Sequence, residues 1–159
     1  MKNYRYGLYM GAVAMPWIVL TQVIFPSNRS DDEAGGIILA VYLCTFFYYG
    51  LAGFLATRKT FHIRDGVRTG ALTALIGIGI IMATFLLVDN IFLATVSQQV
   101  DKIRGFQMHH YTSMRAYINW SHLQATVFVL PIMGLIGAAC GGVGAILVSR
   151  GPAASVEQA

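Results

Sequence analysis

Four long stretches without Asp, Glu, Lys or Arg constrain this chain more than any other feature of its sequence. They cover residues 6–25, 34–57, 69–88 and 122–149. A helix crosses the hydrocarbon core of a bilayer in about 20 residues. Charged residues make up only 11% of the chain, whereas soluble domains carry about 25%. The sequence therefore predicts an all-α integral membrane four-helix bundle, with all 159 residues in one domain.

The longest segment between two predicted spans covers residues 89–121. Its apolar residues are spaced three, four and three at Leu93, Val96, Val100 and Ile103. This spacing predicts a helix that extends the third span outward, and Gly105 would end it. A second short helix would follow Gly105. We expect an extracytoplasmic helical flap between helices 3 and 4.

Local patterns indicate where other elements begin and end. Ser30 and Glu33 form a capping-box pattern before the second span. The sequence "RDG" at 64–66 predicts a turn before the third span. After the fourth span, the tail at 151–159 begins with Gly-Pro and is expected to be disordered.

The distribution of basic residues predicts the orientation of the spans. One side of the membrane receives Lys2, Arg5, Arg58, Lys59, Arg64, Arg68 and Arg150, and the other receives Arg29, Lys102, Arg104 and Arg115. Because basic residues are enriched on the cytoplasmic side, both termini are expected in the cytoplasm. The predicted location is the inner (plasma) membrane, with a multi-pass topology.

A basic rim is predicted between the second and third spans, formed by Arg58, Lys59, Arg64 and Arg68. This rim accounts for much of the net charge of +4. Each basic residue near an anionic lipid surface contributes about 1 kcal/mol to membrane attraction. Nucleic-acid binding is the alternative, but four charges on one short loop make a small footprint for it. The sequence favours anionic lipid and no nucleic acid.

Small residues recur along the first and fourth spans at intervals that allow close helix packing. The predicted helix-packing residues are Gly7, Gly11, Gly134, Gly137, Ala138, Gly141, Gly142 and Ala145. Either they pack helices within one chain, or they form the contact with a second copy or a partner membrane protein. The spacing leaves both alternatives open.

The middle of each predicted span contains no Asp, Glu, Lys, Arg or His. Ionisable residues inside a membrane mark proton relays and ion paths. Their absence from the sequence pattern argues against a proton-coupled transporter and against an intramembrane acid–base enzyme. We therefore expect no catalytic residues and no cofactor.

Three of the four histidines lie in "GFQMHHYTSMRAYINWSH", residues 105–122. On one continuous helix, His109, His110 and His122 would point in three directions, so they would not share a metal ion. His110 and Met114 are four residues apart and are the weak metal-ligand candidates. The sequence favours a flap surface for the headgroup layer or a partner, formed by His109, His110, Arg115 and Trp120. Its histidines also suggest a sensor of acidity.

These patterns predict a small polytopic membrane protein that serves as a non-enzymatic accessory or scaffold subunit or as a homo-oligomer. Its partners would be the lipid bilayer and either another membrane protein or a second copy. The alternative function is a small channel or transporter for a neutral or weakly polar solute. A third hypothesis is a metal-binding or enzymatic membrane protein that uses the histidines at 109–122.

Overall fold

The computed structural model describes residues 4–24 and 31–150, and every regular element within these ranges is helical. In chain order, the helices are α1 (Arg5–Val19), α2 (Asp31–Thr60), α3 (Ile63–Ile91), α4 (Leu93–Val96), α5 (Val100–His109) and α6 (Met114–Ser149). A π-helical turn, Leu20–Ile24, continues α1.

Four segments are long and apolar enough to cross a membrane, namely Arg5–Ile24, Leu39–Thr60, Ile63–Ile91 and Met114–Ser149. The prediction of an all-α four-helix bundle is confirmed, and the chain is a multi-pass membrane protein. The longest helix, α6, has 36 residues. At 1.5 Å per residue it measures about 54 Å, which exceeds the roughly 30 Å hydrocarbon core. Part of α6 therefore extends beyond the hydrocarbon.

The helices that flank the segment between the third and fourth spans are longer than the uncharged runs of the sequence. Helix α3 continues past Val88 to Ile91, and α6 begins at Met114 instead of His122. The side chain of Ser113 accepts a hydrogen bond from the Ala116 N–H at 3.2 Å and so caps the start of α6. Residues 92–113, which contain α4 and α5, are called the cap below.

The predicted outward extension of the third span is wrong. The chain leaves the helix at Phe92 and again at residues 97–99, so two short helices replace one long one. Val96 is fully buried, whereas Val100 is 52% exposed. These residues therefore do not share one face of a continuous helix.

Two glycines that the sequence pattern placed in a turn or at a helix end lie inside helices. Gly66 is buried in the first turns of α3, where it contacts Thr57 and Ala145. Gly105 is buried within α5, which ends at His109, while His110 takes the left-handed conformation with φ of 52°. Both glycines are contact points between helices, because a β-carbon at either position would overlap a neighbouring residue.

Helix α3 lies at the centre of the bundle and packs against α1, α2 and α6. Its Gly70 backbone meets the backbone of Gly137 on α6. The same face of α6 brings Gly141 against the backbone of Gly53 on α2. A β-carbon at any of these positions would overlap the facing main chain, so the glycines permit the close approach of three helices.

Helix α1 packs on α3 through small residues as well. Gly7 faces the side chain of Ile76, and Gly11 faces that of Ile80. The hydroxyl of Tyr48 on α2 donates a hydrogen bond to the carbonyl oxygen of Tyr6 at 2.9 Å. This contact links α2 to the beginning of α1.

The apolar core lies between α2, α3 and α6. Its buried members are Tyr49, Ala74, Ile78 and Met133.

The predicted capping box lies outside the described residues, since the structure does not describe Ser30 or the side chain of Glu33. The tail at 151–159 also lies outside the described residues.

Candidate functional site: a buried carboxylate beneath the cap

Asp89 lies in the last turn of α3 and its side chain is 0% exposed. A buried carboxylate is strongly disfavoured unless it is paired and hydrogen-bonded. Its neighbours on the same face of α3 are Phe85, Met82 and Ile78, at intervals of four, three and four residues. The face that packs into the bundle therefore carries Asp89 inward, beneath the cap.

Two cationic or protonatable groups meet the same oxygen of Asp89. The Lys102 ammonium on α5 donates a hydrogen bond to Oδ2 at 3.0 Å. The Nε2 atom of His122 on α6 lies 2.8 Å from the same oxygen. The side chains of Lys102 and His122 are 21% and 13% exposed. We call Asp89, Lys102 and His122 the Asp89 cluster.

The other carboxylate oxygen, Oδ1 of Asp89, is buried and has no hydrogen-bond partner among the described residues. All the compensation for burial therefore converges on Oδ2. Removing one member of a buried ion pair leaves an uncompensated charge and costs about 3–5 kcal/mol. The arrangement depends on Lys102 and His122 remaining in place.

The imidazole of His122 is oriented by its surroundings. The ring of Phe85, one turn before Asp89, stacks on it with centroids 6.1 Å apart and planes 22° apart. With its proton on Nε2, or as an imidazolium, His122 donates a hydrogen bond to Asp89.

Two amide pairs accompany the Asp89 cluster. The Asn90 amide donates to the side-chain oxygen of Asn119 on α6 at 2.6 Å. The Gln99 amide lies 3.3 Å from both the side-chain oxygen and the carbonyl oxygen of Gln22, in the π-helical turn. The cap therefore makes polar contacts with the π-helical turn and with α3, and the end of α3 makes a polar contact with α6.

An aromatic contact also holds the cap against α6. The ring of Tyr117 lies against Gly105 and faces Phe106 with centroids 6.3 Å apart. His109 stacks on the same ring at 6.4 Å, and Tyr111 approaches it at 5.6 Å. These rings pack between α5 and the start of α6.

The structure does not bring the three histidines of residues 105–122 together. His122 joins Asp89, His109 packs on Tyr117, and His110 is exposed at the end of α5. The weak metal candidates His110 and Met114 are not on one helix, because α5 ends before His110. Within residues 4–24 and 31–150, no three His, Cys, Asp or Glu side chains form a group able to hold a metal ion.

The other predicted site residues occupy separate regions. The flap-surface residues are all exposed, with His109 and His110 in the cap and Arg115 and Trp120 on α6. The rim residues Arg58, Lys59, Arg64 and Arg68 are exposed around the turn between α2 and α3. Of the helix-packing residues not yet placed, Gly134 faces Leu75, Gly142 faces Val67, Ala145 faces Gly66, and Ala138 is half-buried.

Reasoning from the sequence missed Asp89, which was assigned to the flap because it follows an uncharged run. The sequence does contain an indication that Asp89 points inward, since Ile78, Met82 and Phe85 form an apolar stripe that Asp89 continues.

Comparisons of the chain with protein-family models, with curated proteins and with solved structures find no match.

Proposed function

We propose that this protein is a non-enzymatic membrane subunit that holds its cap in a fixed position for a partner. The partner is another membrane protein or a second copy of the chain. The protein would lie in the inner (plasma) membrane with both termini in the cytoplasm, as the distribution of its basic residues indicates. The cap would then face the extracytoplasmic side.

The observation that carries this proposal is the burial of Asp89 between the bundle and the cap. A buried ion pair adds little net stability compared with apolar packing. It does favour one arrangement over others, because every other position of Lys102 leaves the carboxylate less compensated. A cap held in one arrangement suits a binding surface, since a preorganised surface loses less conformational entropy on association.

The packing of the bundle supports a scaffold role. Close contacts between Gly70 and Gly137, and between Gly53 and Gly141, join α2, α3 and α6 through their backbones. Large sliding movements of these helices would bring side chains into that contact. The exposed groups near the cap, His109, His110, Arg115 and Trp120, include the residue types that are enriched at protein interfaces.

The experiment is site-specific photo-crosslinking in intact native membranes. A benzoyl-phenylalanine replaces His110 in the cap, and a matched control carries it at Arg64 on the rim. We expect a discrete protein adduct from position 110 that is lost in the Arg115→Ala variant and is absent from position 64. Adducts with lipid alone at position 110, or the same adducts from both positions, would contradict the proposal.

A channel for a neutral or weakly polar solute is the second candidate function. Three buried hydroxyls, of Tyr49, Thr57 and Thr69, have no hydrogen-bond partner among the described residues. Buried polar groups of this kind are often satisfied by water, and a line of water would suit a solute path. The direct contact of Gly70 with Gly137 argues against a path between α3 and α6. Proteoliposome swelling that is reduced by Tyr49→Phe would favour this candidate.

A further inference from the structure

The Asp89 cluster joins side chains of two membrane-spanning helices to a side chain of the cap. Asp89 and His122 lie on bundle helices α3 and α6, whereas Lys102 lies on the cap. Both nitrogens lie within 3.0 Å of one oxygen, so they are separated by less than about 6 Å. A change of charge on His122 therefore acts directly on Lys102.

The charge of the cluster depends on the protonation state of His122. With a neutral imidazole, the Asp89–His122 pair carries one negative charge, which the Lys102 ammonium balances. With an imidazolium, the pair is neutral by itself and the three groups together carry one positive charge. Two cations less than about 6 Å apart in a buried site repel each other with little screening.

Lys102 is the member that can leave. Its side chain is 21% exposed, against 13% for His122, and it is attached to the cap and not to a membrane-spanning helix. A lysine ammonium on a flexible stem reaches water readily. The imidazolium, stacked on Phe85, would keep its hydrogen bond to Asp89.

Among the described residues, the charged groups around the cluster do not cancel the positive charge that an imidazolium at His122 adds. Asp101 and Arg104, of opposite charge, flank Lys102 on α5 and are exposed, and Arg115 is exposed on α6. In the π-helical turn after α1, the cap meets the uncharged Gln22. The side chains of Asp31, Asp32 and Glu33 on α2 lie outside the described residues.

We propose that His122 is a proton sensor, and that its protonation displaces Lys102 from Asp89 and releases the cap. Release of Lys102 removes the repulsion between the two cations and leaves the imidazolium paired with Asp89. Acid therefore shifts the equilibrium toward release. Histidine is the side chain that ordinarily changes charge between about pH 5 and 8, which is a range that an extracytoplasmic surface experiences.

This regulation rests on the proposed function in one respect, because release of the cap matters to the cell only if the docked cap binds a partner. The sensor itself is a property of the single chain. It can be measured on the purified full-length protein in lipid nanodiscs, without any partner.

The test is amide hydrogen exchange of α5 at about pH 7.5 and pH 5.5, corrected for the intrinsic pH dependence of exchange. His122→Gln retains a neutral donor toward Asp89 but cannot become charged. We expect exchange in α5 to accelerate at least about tenfold on acidification in the wild type and to be independent of pH in His122→Gln. His109→Gln and His110→Gln should retain the wild-type response.

A second variant covers the case in which His122→Gln does not fold. Lys102→Met should give fast exchange in α5 at both pH values, because the group that acid displaces is already absent. A wild-type cap whose corrected exchange is the same at both pH values overturns the sensor. So does an acid response that survives in His122→Gln or in Lys102→Met.

The two proposals can fail separately. If acid releases the cap but crosslinking from position 110 yields no protein adduct, the subunit function fails and the sensor stands. If the adduct forms and exchange does not depend on pH, the sensor fails and the subunit function stands.

Discussion

Gly105 on the cap lies directly against the phenol ring of Tyr117 on α6. A β-carbon at position 105 would overlap the hydroxyl oxygen and the ring carbon that bears it. The contact lets α5 lie close to the start of α6, where Phe106 meets the same ring edge-on and His109 stacks on it. This apolar contact complements the polar attachment at Asp89.

The Gly105→Ala substitution should loosen the cap. Overpacking of a close contact costs about 1–3 kcal/mol. The higher helix propensity of alanine offsets only part of this cost. We expect hydrogen exchange in α5 to rise about tenfold with the bundle unchanged. The matched control is Gln107→Ala, at an exposed position on the same helix. If α5 exchanges equally slowly in Gly105→Ala and in Gln107→Ala, the contact between Gly105 and Tyr117 is not important for the cap. If the double variant Gly105→Ala/Tyr117→Leu regains part of the wild-type protection of α5, the contact is supported.

The contact between Gly70 and Gly137 should determine the global stability of the bundle. In Gly70→Ala the new methyl group overlaps the Gly137 carbonyl, so α3 and α6 must separate. We expect the free energy of unfolding in mild detergent to fall by about 1–3 kcal/mol. Gly79→Ala is the control, because a β-carbon there has its nearest neighbour, Leu130, at 4.0 Å. If both variants unfold at the same denaturant concentration, the proposed packing is incorrect.

The two ends of the bundle should differ in accessibility from outside the cell. In a background with Cys44 and Cys140 replaced by alanine, a cysteine is introduced at exposed Thr112 or at exposed Lys59. Because basic residues favour the cytoplasmic side, a membrane-impermeant maleimide should label position 112 in intact cells. Position 59 should react only after permeabilisation. Labelling of position 59 in intact cells, with position 112 reacting only after permeabilisation, would contradict the proposed orientation.

Much of the fold follows from sequence patterns that act over a single helix. The length of an apolar run predicts a span, and the spacing of Gly137 and Gly141 predicts a surface for close packing. Gly66 and Gly105 show where such patterns fail. A glycine that ends a helix and a glycine that admits a neighbouring helix look alike in sequence, because the neighbour is distant along the chain.

The candidate site was harder to predict for the same reason. Asp89, Lys102 and His122 are separated by 13 and 20 residues and lie on three helices. The apolar stripe that leads to Asp89 indicates an inward direction. It does not indicate that the chain folds back at Phe92, which is what places Lys102 above the carboxylate. Only the tertiary fold supplies the pairing.

Hydrogen exchange of the cap at neutral pH in Asp89→Asn measures whether the buried carboxylate holds the cap on the bundle. The variant keeps the size of the side chain and removes the charge that Lys102 and His122 share. In the wild type, moving Lys102 away leaves the buried carboxylate undercompensated, which costs about 3–5 kcal/mol. The variant has no carboxylate to leave undercompensated, so exchange in α5 should accelerate about a hundredfold or more. The middle of α3 and of α6 should remain protected, and Asp101→Asn, at an exposed carboxylate on α5, should behave as the wild type. A cap that is equally protected in Asp89→Asn and in the wild type would contradict the claim that the buried carboxylate holds it.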